Sequence, residues 1–177
     1  TAVVDALGLA KANASIIYAS AGGKIFSTTN GGTHWIDRSM PGAADRFVDF
    51  AVDPIDPNIV YVVRDRVNDG SNTGHVFRST TGGATWTDIT ANLPDIPAQS
   101  MEIDVRGPGL ADDVLYVGTD AGIYRSVDGG ASWSIMASGL PRVQIREIEY
   151  QKNLGILAAG THGRGVWQIS VPDMTAP

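Results

Sequence analysis

The sequence predicts an all-β chain built from a repeated four-stranded antiparallel unit. Its 177 residues contain one phrase three times, in which an aliphatic–aromatic pair precedes a hydroxyl residue, a Gly-Gly pair and a tryptophan. The copies occupy residues 25–35 (IFSTTNGGTHW), 76–86 (VFRSTTGGATW) and 123–133 (IYRSVDGGASW). Trp35, Trp86 and Trp133 are therefore 51 and then 47 residues apart. Such fixed offsets indicate one supersecondary unit, copied and stacked.

Each copy also carries the same flanking signals. A short apolar run with a central tyrosine precedes it (16–19, 59–62, 114–117), and an apolar residue followed by proline comes after it (40–41, 93–94, 140–141). Short runs rich in Val, Ile and Tyr, bounded by Gly, Pro, Asn and Asp, are typical of strands. The repeat length is close to that of a four-stranded β-propeller blade.

The second copy predicts one whole blade, with strands at 46–52, 59–63, 75–79 and 85–89 and a proline-fixed turn at 53–58. Three strands of a last blade are expected at 145–150, 155–159 and 165–171. The chain thus has about 3.75 blades, at approximately 1–40, 41–95, 96–141 and 142–171, with a C-terminal linker at 172–177. Because blades cannot bury their flat faces alone, we expect part of a larger propeller, or completion by self-association.

Composition excludes several function classes. The net charge of -6 argues against nucleic acid and anionic membranes as partners, since phosphate binding needs clustered Lys and Arg. No apolar run is long enough to predict membrane insertion. The absence of cysteine excludes disulfides, thiolate metal sites and cysteine nucleophiles. We expect no cofactor and no metal.

The Gly-Gly turns give a more specific pattern, S-x-D-x-G-x-[ST]-W. The third copy matches it in full and the first two in part, through Thr28, Asn30, Gly32 and Trp35, then Ser79, Thr81, Gly83 and Trp86, and finally Ser126, Asp128, Gly130 and Trp133. The chain resembles the C-terminal blades of BNR or Asp-box repeat propellers, a family that includes sialidases, xyloglucan-active glycoside hydrolases, sortilin-type receptors, photosystem assembly factors and bacterial surface proteins. The resemblance implies a secreted, extracellular or cell-surface setting, and we expect a bacterial protein.

Turn chemistry alone explains the boxes. Hydroxyl and Asx side chains accept backbone N–H bonds, the glycines adopt conformations closed to other residues, and the tryptophan covers the turn. Asn30 and Thr81 can still make turn bonds, whereas neither could replace a catalytic acid. We therefore interpret the boxes as structural.

Catalytic groups of a propeller enzyme would lie on the innermost strands, which line the channel. Aligning the blades there predicts a ring of acids: Asp49, Glu102 and Glu147 at one position, with Asp5 as a fourth member, and Asp104 and Glu149 two residues further on. Glycosidases instead use a pair of carboxyl groups in unlike environments. Recurrence in the repeat favours channel-lining acids without a catalytic role, and no catalytic residue is predicted.

Other polar residues form no recognisable site. A sialidase needs an arginine cluster, but the available arginines are scattered or repeat-related (Arg78, Arg125, Arg142, Arg146, Arg164). The three histidines, His34, His75 and His162, lie in different blades without metal-ligand spacing.

One insertion breaks the repeat, at residues 64–74. Blade-specific insertions often carry recognition, so this loop is a candidate recognition site through Arg64, Asp65, Arg66, Asn68, Asp69 and Asn72. Its acids and amides do not have the spacing of a calcium loop.

Two function classes remain open. The first is a non-catalytic extracellular propeller module that recognises protein or glycan partners in a larger surface or secreted assembly. The alternative is the C-terminal part of a glycoside hydrolase, sialidase-like or xyloglucanase-like, whose catalytic acids lie upstream.

Overall fold

The computed structural model describes residues 3–40, 46–67, 74–106, 113–136, 140 and 142–171. In this part of the chain the regular structure is fifteen β-strands and one 3-10 turn at Lys152–Leu154. The strands form four antiparallel meanders, each in chain order. The predicted all-β fold is confirmed.

Each meander is one blade, numbered along the chain. Blade 1 contains β1 (Val4–Leu9), β2 (Ile17–Ala21), β3 (Lys24–Thr28) and β4 (Ile36–Asp37); blade 2 contains β5 (Phe47–Val52), β6 (Val60–Arg64), β7 (Val76–Ser79) and β8 (Thr87–Asp88). Blade 3 contains β9 (Ala98–Asp104), β10 (Val114–Thr119), β11 (Gly122–Ser126) and β12 (Ser134–Ile135); blade 4 contains β13 (Ile145–Gln151), β14 (Ile156–Thr161) and β15 (Gly165–Ser170).

Fourth strands are shorter than predicted. The second copy predicts a strand over 85–89, whereas β8 covers only Thr87–Asp88. The side chain of Thr81 holds the backbone N–H of Thr85 in the preceding turn, so residue 85 cannot join the sheet. In blade 4 the described residues contain three strands, as predicted.

The hydrophobic core lies between blades. One apolar cluster joins blades 1 and 2, around Tyr18, Phe50 and Val62. A second joins blades 2 and 3, around Tyr61 and Met101, and a third joins blades 3 and 4. The first strand of each blade, called the inner strand below, contacts the inner strand of the next blade. Stability therefore depends on stacking, as expected for a repeat that cannot bury its faces alone.

The inner strands share one irregularity, which corrects the predicted alignment of acids. Each has a register shift near its start, after which Asp49 pairs with Val63, Ser100 with Gly118 and Glu147 with Gly160. Ala6, opposite Ser20, takes this position in blade 1. The true equivalent of Asp49 in blade 3 is thus Ser100.

The predicted alignment of the remaining acids is also displaced, by two residues. Glu102 pairs with Tyr116 and Glu149 with Ala158, so these two are equivalent, while Asp104 pairs with Val114 at the strand end. The predicted groupings of Asp49 with Glu102, and of Asp104 with Glu149, were wrong by two residues. Sheet register is set by pairing with the neighbouring strand, and not by the recurrence of one residue type.

Candidate functional site

The predicted box residues form one turn in three blades. In blade 3, Ser126 Oγ accepts the Gly130 N–H at 2.9 Å and Asp128 Oδ1 accepts the Ser132 N–H at 2.9 Å. Blade 1 makes the same pair of bonds through Thr28 and Asn30, at 3.1 and 2.9 Å, and blade 2 through Ser79 and Thr81, at 2.8 and 2.9 Å. An amide, a hydroxyl and a carboxylate thus perform the same task, which requires only an oxygen acceptor.

The box tryptophans of blades 2 and 3 connect each of these blades to the preceding one. Trp86 Nε1 donates to the carbonyl oxygen of Arg38 in blade 1 at 2.8 Å, and Trp133 Nε1 donates to that of Ile89 in blade 2 at 2.9 Å. Asn92 adds two bonds to the Trp133 backbone. The sequence predicted that the ring covers its own turn, and this contact with the neighbouring blade was missed. The recurrence of the tryptophan at spacings of 51 and 47 residues was the available signal.

Asp49 lies at the junction of blades 2 and 3. Its Oδ2 accepts the N–H of Met101 across that junction at 2.8 Å, and its Oδ1 accepts the N–H of Phe50 at 2.8 Å. Burial above all, together with the charges of Glu147 and Glu149, raises the pKa of Asp49 to about 7, against the lowering effect of these hydrogen bonds. The carboxyl group therefore changes charge near neutral pH.

Glu102 is a second half-buried acid on the inner strands. Burial raises its pKa to about 7, and the charges of Glu149 and Asp49 act in the same direction, while Lys11 opposes them. Burial and the charge of Glu149 also raise the pKa of the more exposed Glu147. The charge of Glu149 thus acts on acids of all three blades. Asp49, Glu102, Glu147 and Glu149 together are called the inner acidic patch below.

Two predicted channel acids lie outside this patch. Asp104 is buried at the end of β9, where Arg106 Nε lies 2.8 Å and Lys152 Nζ 3.3 Å from its carboxylate. Asp5, in the register shift of β1, lies 3.5 Å from Arg46 Nε. Both are held by cations of the chain, as expected for acids that stabilise the fold.

The first residues of the predicted recognition loop take part in the fold instead. Arg64 is fully buried at the end of β6. The carboxylate of Asp65 accepts hydrogen bonds from Arg46 Nη1 at 2.8 Å and from Gln99 Nε2 at 2.9 Å. The bond from Gln99 links Asp65 to the inner strand of blade 3. Arg66 is exposed, whereas Asn68, Asp69 and Asn72 lie outside the described residues.

Asp65 belongs to a polar chain along one rim that the sequence did not reveal. Asp120 accepts hydrogen bonds from Gln99 Nε2 at 2.9 Å and from Gln144 Nε2 at 2.6 Å, so its carboxylate joins blades 3 and 4. Each carboxylate on this rim is shared by two blades. The partners come from different repeats, and only the register of the inner strands brings them together.

The histidines and arginines form no common site. His75 is buried with Nε2 3.0 Å from Asp95, and burial followed by the charge of Arg64 lowers its pKa. His34 and His162 lie exposed on turns, and Arg142, Arg146 and Arg164 are exposed in blade 4. Across the described ranges, no three metal-binding side chains cluster. Among those same residues no helix is long and apolar enough to cross a membrane.

No family model matches the sequence, and neither does any curated protein. Solved structures match the fold. A GH74 enzyme from Niastella koreensis superposes with a TM-score of 0.73 at 20% identity, over 94% of this chain and 28% of that chain. YCF48 bound to a peptide superposes with a TM-score of 0.62 at 16% identity, over 96% of this chain and 56% of that chain. A chain of a nidogen/laminin complex superposes with a TM-score of 0.70 at 11% identity, over 96% of this chain and 61% of that chain.

The chain has a β-propeller fold. It spans less than two thirds of the length of each of these three chains. Identities this low establish architecture alone, because propellers support unrelated functions on one scaffold. Membership of the Asp-box family stays a prediction from the box residues.

Proposed function

We propose that the chain is a non-catalytic β-propeller module, acting outside the cell, that recognises a protein partner through the inner acidic patch. The observation that carries the proposal is the patch itself, in which four carboxyl groups on three consecutive blades interact electrostatically. Asp49 and Glu147 occupy one position of the repeat and Glu102 and Glu149 another, and their exposure increases from half-buried Asp49 and Glu102 to exposed Glu147 and Glu149.

The electrostatics favour a cationic partner. A Lys or Arg side chain placed among several carboxylates is attracted to each of them. This attraction offsets the repulsion between the carboxylates, so a cation binds a cluster of acids more strongly than a single acid. The net charge of -6 also steers a cationic segment toward the protein. A lysine-rich or arginine-rich peptide segment is therefore the partner chemistry that fits. A glycan with amino groups offers the same charge and is the second ligand class.

The structural neighbours support a protein partner. One is a peptide complex of YCF48 and another is a nidogen/laminin complex, so this architecture presents surfaces to other chains in both. The boxes and the rim contacts provide a rigid frame, which keeps the ordering cost of binding low.

Calorimetric titration with octalysine tests the proposal. At pH 8 we expect binding that Glu147→Gln with Glu149→Gln weakens about 3- to 10-fold, since exposed charge pairs contribute about 1 kcal/mol or less each. The wild type should also bind more weakly at pH 6, where Asp49 and Glu102 take up protons. The control is Asp37→Asn, which removes one exposed charge from outer strand β4. Absence of binding, or equal weakening by Asp37→Asn, would reject the patch as the binding surface.

Glycoside hydrolysis is the second candidate function. The specific observation in its favour is that burial raises the pKa of both Asp49 and Glu102 to about 7, the range in which a carboxyl group can act as a general acid. The GH74 neighbour adds an analogy of fold. Hydrolysis would also require a second carboxylate across the sugar from the acid.

A further inference from the structure

We infer that the chain binds a small organic carboxylate, about the size of benzoate, in a cavity at the junction of blades 3 and 4. The cavity has a volume of about 150 Å³. An engineered apolar cavity of this volume in another protein binds benzene, so there is room for a body of about six carbon atoms. The walls are Ala121 from the turn between β10 and β11, Gly122 and Ile123 of β11, Ile135 of β12, and Met136, Leu140 and Arg142.

The cavity exists because blade 3 departs from the repeat at Gly122. The position four residues before the first box residue is Lys24 in blade 1, His75 in blade 2 and Gly122 in blade 3. A Cβ built on Gly122 would meet only Ile135, at 3.9 Å. The space that a long side chain occupies in the first two blades is therefore open in the third.

In blades 1 and 2 that long side chain lies beside an acid. Lys24 Nζ is 3.0 Å from the carboxylate of Asp37, and His75 Nε2 is 3.0 Å from that of Asp95. His75 is only 1% exposed, so the place in blade 2 that corresponds to the cavity is filled by the chain itself. In both blades a basic side chain and an acid of the chain complete each other.

Blade 3 replaces both acids as well as the basic side chain. Ile135 corresponds to Asp37, since each lies two residues after the box tryptophan. Arg142 corresponds to Asp95, since each lies two residues after the leucine of a Leu-Pro pair. The cavity therefore has apolar walls and one cationic group, and its lining contains no acid.

The guanidinium group of Arg142 is available to a ligand. Among the described residues, no carboxylate lies within ion-pair distance of it. Asp120, next to Ala121 in the sequence, already accepts hydrogen bonds from Gln99 and Gln144 on the rim. Because Arg142 is exposed, the cavity reaches solvent beside this group.

The chemistry of the cavity selects an acid with an apolar body. A guanidinium group binds a carboxylate through two parallel hydrogen bonds, which a point charge cannot reproduce. The aliphatic walls favour a ring or a short branched chain attached to that carboxylate, because its apolar surface leaves water. The ligand thus supplies from outside the acid that the chain supplies in blades 1 and 2.

Titration with benzoate, followed through the amide NMR resonances of Ala121 and Gly122, tests the inference. Benzoate should shift both resonances in a saturable way. Benzamide, which has the ring without the charge, and acetate, which has the charge without the ring, should each bind at least about 5-fold more weakly. A saturable shift that benzamide or acetate produces at the same concentration as benzoate would overturn the inference, as would no shift with benzoate.

Two pairs of variants locate the carboxylate. Arg142→Gln should weaken benzoate binding about 5-fold and leave benzamide binding unchanged, whereas the control Arg164→Gln removes an exposed arginine from the turn between β14 and β15 and should change neither. Ile135→Asp restores the acid of the other blades beside Arg142 and should weaken benzoate binding by competition. Ile135→Asn has the same shape without the charge and should weaken it less. Dispersion of the amide resonances checks that each variant is folded.

Equal weakening by Arg142→Gln and Arg164→Gln would show that benzoate responds to net charge alone, and would overturn the inference. So would tighter binding of a short peptide that ends in a phenylalanine carboxylate, because the cavity would then belong to a chain terminus. No residue of the inner acidic patch lines the cavity. Octalysine and benzoate binding are measured separately, so either proposal can fail without the other.

Discussion

Replacing Trp133 with alanine is expected to lower the free energy of unfolding by about 3 to 5 kcal/mol, the usual cost of truncating a large buried aromatic residue. The ring fills the core between blades 2 and 3 and donates to the carbonyl oxygen of Ile89, so its loss opens a cavity and leaves that carbonyl without its bond. Urea unfolding followed by far-ultraviolet circular dichroism measures the change without relying on tryptophan fluorescence. Trp86→Ala should act in the same way through Arg38.

Two matched variants separate the ring from the turn. Trp35→Ala removes the same side chain at a position where it is 37% exposed, against 5% for Trp133, and should cost far less than Trp133→Ala. Asn30→Ala removes the acceptor of the His34 N–H and should cost about 1 kcal/mol, typical of one hydrogen bond. Equal stability of the Trp133→Ala variant and the wild type would show that the boxes do not hold the blades together.

Stability is expected to fall as the pH rises from about 5 to about 9. In the folded chain the pKa of Asp49 and that of Glu102 are both raised to about 7, from ordinary values of 3.8 and 4.5. The folded state therefore binds these protons more tightly than the unfolded state. Their stabilising effect is complete below about pH 4 and is lost as the pH passes through 7. Between pH 5 and pH 9 the contribution of Asp49 alone changes by about 3 kcal/mol.

Asp49→Asn should flatten this pH dependence, because asparagine stays neutral and keeps an oxygen for the Met101 N–H. Asp37→Asn is the control. Bonds from Ser39 and Lys24 lower the pKa of Asp37 to about 2, so it does not titrate between pH 5 and 9. Urea unfolding at several pH values gives the comparison. A rise in stability with pH would contradict the burial of the patch carboxyl groups.

The fold was readable because the sequence repeats. The Tyr-centred runs and the Gly-Gly turns mark each blade, and errors in one copy are corrected by the other two. The order of strands and the number of blades follow from these local signals, which depend on short-range backbone chemistry. Only the fourth strands were overestimated, since the turn bonds of Thr81 and its equivalents extend further than propensity suggests.

The site was less readable because it depends on contacts between repeats. The acids were found, but Glu102 was aligned with Asp49 when pairing with Tyr116 places it one pleat further along. Arg64 and Asp65 were expected on a recognition loop, yet tertiary contacts draw both into the fold. Burial, which sets the pKa of Asp49, is a property of the stacked blades and has no signature in a single strand.

Product formation from xyloglucan and from a chromogenic sialoside tests most directly whether the inner acidic patch recognises a partner or cleaves a glycoside. Reducing-end release and chromophore release are followed with the wild type, Asp49→Asn and Glu102→Gln. The account predicts no product above the uncatalysed background for any of the three proteins, because it assigns the patch to binding a cationic partner and gives none of its carboxyl groups a catalytic role. Turnover by the wild type that disappears in either variant would contradict it and assign the patch to catalysis.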